Sequence, residues 1–148
     1  MIRRGIVVAV DEQTARVRVQ MPDLDGVVTN WLPVIHHKTH QDKAYWLPDV
    51  GEFVIVGFDQ EGNYSDAYVL GAIYNDQDTV PVANVNQFYI KFQDGTTIAY
   101  DRQAHSLTVN CVGSITINTS NNITITASNI DISASGNVTI QGATINLN

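Results

Sequence analysis

The sequence predicts an all-β protein in which a small N-terminal antiparallel barrel leads into a repetitive, triangular β-helix. Three observations carry this expectation. Strand-length apolar runs fill residues 1–75, and no segment keeps a helical period over a useful length. Every Lys, Arg, Pro and aromatic residue lies at or before Arg102. From Ser106 onward, short apolar pairs recur at a nearly constant interval.

Taken in order, Gly5–Val10, a turn at Asp11-Glu12-Gln13, and the alternating Ala15–Val19 read as a hairpin. Trp31-Leu32-Pro33-Val34-Ile35 reads as a third strand. Gly51–Phe58 reads as a fourth, with Asp59 to Asn63 as its turn, and Ser65–Gly71 as a fifth. Five strands in residues 1–75 suit an OB-type barrel. Residues 76–104 hold a linker (76–86) and a hairpin, Phe88–Phe92 and Thr97–Tyr100, around a tight Asp94-Gly95 turn. That hairpin is expected to act as a collar between barrel and repeat.

Residues 105–148 carry the repeat. Its apolar pairs are Leu107/Val109, Ile115/Ile117, Ile123/Ile125, Ile130/Ile132, Val138/Ile140 and Ile145/Leu147, spaced 8, 8, 7, 8 and 7 residues apart. One polar residue separates the members of each pair, the period of a strand with one buried face. Gly, Ser and Asn fill the corners between pairs. Strands this short bury little, and a solenoid with fewer than three stacked turns is rarely stable. Three chains wound about one axis would bury the pairs mutually, with Cys111 in phase with them. At ~4.8 Å per strand such a prism would be roughly 30 Å long. Thr108, Thr116, Thr124, Asp131, Thr139 and Asn146 would then face outward. An intertwined homotrimer is therefore expected. A single-chain solenoid, or an edge that polymerises into fibrils, is the competing reading.

The formal net charge is −7, so three copies would carry −21. Such an assembly would be repelled by nucleic acid and by anionic lipid headgroups. One cysteine precludes an intrachain disulfide. No run approaches a membrane span and no basic start precedes an apolar run, so synthesis in the cytoplasm without the usual export route is expected.

The run MIRRGIVVAVDEQTARVRVQ, the Trp31-Leu32-Pro33 strand, and YWLPDVGEFVIVGF followed by AYVLGAIYN resemble the baseplate assembly protein V family. These are the central spike proteins of contractile-tailed phages, related to spikes of R-type pyocins and type VI secretion systems. The spacing Trp46-x-Pro48-x-x-Gly51-Glu52-x-Val54, with Val69-Leu70-Gly71-x-Ile73-Tyr74, is similar to the family's barrel signature. The collar run FYIKFQDGTTIAYDRQAHSLTV resembles its counterpart. The resemblance implies a phage or phage-like particle baseplate component, assembled in a bacterial host's cytoplasm. Its barrel would sit on the tail hub and its trimeric needle would point at the target outer membrane. Arg3 and Arg4 are candidate hub-docking residues. Relatives often end in His-x-His, whose three copies hold iron at the apex; here the last histidine is His105, so neither metal nor cofactor is expected. Ile145, Leu147 and Asn148 are instead expected to seat a separate PAAR-type tip protein, unless the native chain runs past Asn148.

No arrangement of residues points to catalysis. His36, His37 and His40 form the sole histidine cluster, without the partners for a tetrahedral metal set. Asp23–Gly26 and Asp76–Asp78 lack the spacing of calcium loops. His105 and Asp101 have no nucleophile beside them. Trp31 and Trp46 are expected in the barrel core or at its rim. The alternative function is an OB-fold module binding oligonucleotide or glycan with a trimerising tail, since Arg3, Arg4, Arg16, Arg18, Lys38 and Lys43 all lie in the barrel.

Overall fold

The computed structural model describes residues 1–60 and 65–147. Part of the expected Asp59–Asn63 turn, and Asn148, lie outside the described residues. The described chain is all-β apart from one turn of 3₁₀ helix. Strand β1 (Ile2–Asp11) pairs antiparallel with β2 (Arg16–Met21) on one side and β5 (Phe53–Phe58) on the other. β2 also pairs with two very short strands, β3 (Val27–Val28) and β4 (Leu32–Pro33), and β5 pairs with β6 (Ala67–Ala72).

Closure into a barrel comes from a parallel contact. Val34 bridges Val69, and the Ile35 N–H donates to the Val69 carbonyl at 3.0 Å. This explains why the expected strand over residues 31–35 pairs with β2 at only two residues. Pro33 has no N–H to continue a ladder, and the chain beyond it turns to β6 instead. Alternation then produces the core: Val7, Val17, Val19, Met21, Leu32, Val54, Val56, Phe58, Ala67 and Val69 form one buried cluster.

Two local features allow the tight coiling. β1 bulges between Val7 and Ala9, which lets a single long strand serve both halves of the barrel. Gly5 lies where β2 crosses closest: an added Cβ would sit 2.3 Å from Val19 Cγ1, 2.8 Å from Met21 Sδ and 2.9 Å from the Gln20 carbonyl. Among the described residues of the barrel, Thr29 is the buried polar one. Its Oγ1 accepts from the Val19 N–H at 3.0 Å and donates to the Asn30 carbonyl at 2.8 Å, tying the crossover between β3 and β4 onto β2.

The collar is a second sheet of three strands, β7 (Gln87–Lys91), β8 (Thr97–Asp101) and β9 (Ser106–Asn110), antiparallel throughout. Gly95, at φ +93°, makes the expected tight turn between β7 and β8. Strand β9 corrects the sequence reading in one respect: the pair Leu107/Val109, counted as the first beat of the repeat, belongs to a strand paired with β8.

The β1–β2 and β8–β9 turns share one design. Asp11 Oδ1 accepts from the N–H groups of Gln13 and Thr14, and Asp101 Oδ1 accepts from those of Gln103 and Ala104. Each turn then exits through a non-glycine residue in the left-handed region, Ala15 in one and His105 in the other, both at φ 54°. The same local solution thus closes the first hairpin of the barrel and the last of the collar.

Candidate functional site

The residues expected to carry function are surfaces rather than a cleft, and their exposure is informative. Within one chain, the apolar residues assigned to the shaft core are not core residues. Leu107, Val109, Ile115, Ile117, Ile123, Ile125, Ile130, Ile132, Val138, Ile140, Ile145 and Leu147 are all exposed, at 49 to 88 %. The expectation is burial between three chains, with little burial in one, and the single-chain exposure has a geometric reason. Two apolar side chains per short strand need a second layer to pack against, and the same chain places none over them. Ile117, Ile125, Ile132 and Leu147, the second members of their pairs, are more exposed than their first members Ile115, Ile123, Ile130 and Ile145, and Ile140 more than Val138. Cys111 is half-buried, with its thiol 3.5 Å from the Ser114 carbonyl.

Beyond Asn110 no described residue joins a β-ladder. The Val112 N–H donates to the Thr96 hydroxyl at 3.2 Å, at the collar end of the segment, while the apolar pairs from Ile115 onward stay exposed. Exposed apolar surface this continuous marks an association surface.

The collar sheet is amphipathic in the same sense. Register places Phe88, Tyr100 and Leu107 in one row across the three strands, and Ile90, Ile98 and Val109 in the next but one. Residues in such rows share a face. The opposite face carries the rows Gln87/Asp101/Ser106, Tyr89/Ala99/Thr108 and Lys91/Thr97/Asn110. One face is therefore wholly apolar and the other mostly polar.

Barrel and collar meet at an open groove of about 600 Å³, lined in part by Val34, His36, Tyr45, Glu52, Val69 and Lys91. Trp46 stacks on Phe92 at 5.9 Å between ring centroids, linking the barrel's long 34–50 loop to the collar. His36 stacks on Tyr45 at 6.4 Å, and the Tyr45 hydroxyl donates to the Glu12 carbonyl at 3.0 Å. Of the expected barrel tryptophans, Trp46 thus lies at the junction and is 66 % exposed. Trp31 sits at the rim beneath the Arg18 guanidinium, 6.0 Å from its ring centre.

The histidine cluster occupies an irregular loop, and among the described residues no three His, Cys, Asp or Glu side chains converge as a metal would require. Asp76 and Asp78 belong to a turn organised by Asn75, whose side-chain oxygen accepts from the N–H groups of Gln77 and Asp78. Three carboxylates are held below the ordinary carboxylate range by hydrogen bonds in turns. Asp11 is shifted chiefly by the Thr14 hydroxyl, Asp94 by the Thr96 N–H, and Asp101 by the Ala104 N–H followed by that of Gln103. All three act as turn caps.

The basic residues of the barrel are largely engaged within it. Arg3 pairs with Asp23 at 2.6 Å, Arg16 donates to the Trp31 carbonyl, Arg18 donates to the Thr29 carbonyl, and Lys38 pairs with Asp42 at 3.2 Å. Arg16 and Arg18 both meet Trp31, one at its carbonyl and the other over its ring. Of the two candidate hub contacts, Arg3 therefore has an internal partner, while Arg4 is exposed on β1. The Asp23 partnership of Arg3 depends on the 3₁₀ turn at Pro22–Leu24, a feature with no clear sequence signal.

Comparison with known proteins agrees with this geometry. Residues 3–74, the barrel, match the type VI secretion system and phage-baseplate injector OB domain. A protein named spike protein, from Escherichia phage P2, is 32 % identical over 140 residues, covering 95 % of this chain and 64 % of that protein. The chain thus spans just under two-thirds of that relative's length. With similarity to an injector-type OB domain at residues 3–74 and to a spike protein continuing through collar and repeat, the chain is similar to the phage-baseplate spike and injector proteins over most of its length.

Proposed function

We propose that this chain is the structural central spike of a contractile-tail baseplate, working as a homotrimer. Its barrel end attaches to the tail hub, and its repeat forms a triangular β-helical shaft aimed at the outer membrane of the target cell. The single observation that carries this reading is the 111–147 segment. Its apolar pairs, from Ile115/Ile117 and Ile123/Ile125 to Val138/Ile140, keep a strand rhythm yet have neither ladder nor core inside one chain. Three identical segments supply what each lacks, because inward Ile and Val from one chain meet those of two others while short strands from neighbouring chains complete the hydrogen bonding.

The work is mechanical. Sheath contraction would push the trimer forward, and a closed prism resists splaying because every internal strand edge is paired. Catalysis, metal and cofactor play no part in this proposal. A separate PAAR-type tip protein would seat on the shaft around Ile145 and Leu147, which share the stripe's phase. The test is the native mass by light scattering combined with gel migration in SDS without heating. A trimer that resists SDS is expected; a particle of 16.3 kDa would overturn the architecture.

A further inference from the structure

Among the described residues, Arg3 and Lys38 form ion pairs with Asp23 and Asp42, whereas Arg16 and Arg18 form none. Both lie on β2, where they alternate with the buried Val17 and Val19 and so stand exposed on the outer face of the barrel. Their hydrogen bonds go to backbone of the crossover between β3 and β4. Arg16 Nη1 donates to the Trp31 carbonyl at 3.4 Å, and Arg18 Nε to the Thr29 carbonyl at 3.0 Å. The Arg18 guanidinium lies over the Trp31 ring, which is itself 37 % exposed. Asp11 sits opposite Arg16 across the hairpin. Its carboxylate is engaged by its own turn, where it accepts from the Gln13 and Thr14 N–H groups and the Thr14 hydroxyl.

We propose that Arg16, Trp31 and Arg18 are the contact through which the barrel holds the tail hub, and that they receive an acidic segment of that protein. This rests on the proposed hub attachment and moves it from Arg3 and Arg4 to β2. A guanidinium stacked on a ring uses its face, which leaves its in-plane N–H edge for a carboxylate in the forked, two-bond geometry. The tethers to Thr29 and Trp31 hold both side chains in place beforehand, so less rotamer freedom is lost on binding. Trp and Arg are also the side chains that dominate binding at protein interfaces. A phosphate chain fits less well. A binder of single strands follows several nucleotides with a run of cations and several stacking rings, whereas this patch offers one ring, already covered by Arg18. The formal charge of −7 on the whole chain adds long-range repulsion of a polyanion.

The test titrates the full chain with the purified hub protein of its own particle, at low and high salt. Binding that weakens with salt is expected. Replacing both arginines (Arg16→Gln with Arg18→Gln) should weaken it about tenfold or more, while Lys91→Gln on the collar leaves it unchanged; circular dichroism shows that each variant is folded. A second measurement needs no variant: hydroxyl-radical oxidation of Trp31 in the parent chain should slow severalfold when the hub is added. Equal binding by the folded double variant, or an unchanged Trp31 rate in the complex, would overturn the contact and leave hub attachment standing. A parent chain that does not bind the hub would overturn both. Binding of an oligothymidylate as tight as that of the hub, lost in the same double variant, would overturn the acidic protein segment as the occupant.

Discussion

Replacing Ile132 by Asp tests the trimeric shaft most directly, because the two sides of the equilibrium respond so differently. In the single chain Ile132 is 73 % exposed, so an aspartate there costs the isolated chain almost nothing. In the trimer three such positions would face one axis. Removing three isoleucines from that core forfeits about 5–9 kcal/mol of burial, taking ~1.5–3 kcal/mol for each. Each unpaired carboxylate then adds a desolvation penalty of several kcal/mol, or must take up a proton to avoid it. The sum exceeds about 10 kcal/mol per trimer, enough to abolish assembly at micromolar concentration. The assay is light scattering with SDS-resistant migration, alongside circular dichroism to show that the barrel remains folded. Thr124→Asp, on the face expected to point outward, should assemble like the parent. A trimer of Ile132→Asp with unchanged SDS resistance would refute the inward and outward assignment on which the shaft is built.

Three further outcomes follow from the barrel and its turns. Thr29→Val keeps the shape but leaves the buried Val19 N–H without its acceptor, so the barrel should lose about 1–3 kcal/mol, read as faster hydrogen exchange of the β2 amides. Gly5→Ala forces a Cβ against Val19 and Met21 at separations that real contacts do not reach; a loss of about 3 kcal/mol or more is expected, seen as a lowered melting temperature or failure to fold. The Asp11, Asp94 and Asp101 carboxyls are all held low in the folded chain. A depressed folded value adds stability that is present above the unfolded value, near pH 4, and is lost as pH falls from there through the folded values. Amide protection at Gln103 and Ala104 should accordingly collapse on acidification in this window, and Asp101→Asn should weaken that protection at neutral pH while flattening its acid dependence.

How far the sequence revealed these features depended on the range of the interaction. The β1–β2 hairpin, β5, β6 and the Asp94-Gly95 collar turn were legible because period-two alternation and turn chemistry act over a few residues. β3 was not, since two residues carry no period. Nor was the Val34–Val69 closure, a contact between segments 35 residues apart with no local signal. The left-handed exits at Ala15 and His105 were hidden because such positions are sought at glycine or asparagine. A comparison of Asp-Glu-Gln-Thr-Ala with Asp-Arg-Gln-Ala-His would have hinted that both turns are of one kind. Arg3 was singled out for its charge, whereas its pairing with Asp23 depends on the fold of a loop 20 residues away. The tail's apolar rhythm was plain from the first. Its short strands also implied that one chain buries little, and Ile117, Ile125 and Ile140 do stand open to solvent in one chain; a period reports which residues share a face and not what covers that face.

The division of the chain into a part that folds alone and a part that waits has a physical consequence for assembly. The barrel buries its own core and brings the chain after β4 back against β6 through the Val34–Val69 bridge. The collar buries less and presents one apolar face, and the tail exposes nearly everything. Hazard thus rises along the chain in the order in which it is synthesised, which on the proposed trimeric reading leaves the aggregation-prone segment exposed for the shortest time before copies meet. Confining all Lys and Arg to the first 102 residues suits the same end. It keeps positive charge off the surfaces proposed to pack, while a formal charge of −7 per chain holds separate particles apart in solution. A shaft with buried charge would be more soluble before assembly and weaker afterwards; placing the charge upstream of the shaft separates these two requirements.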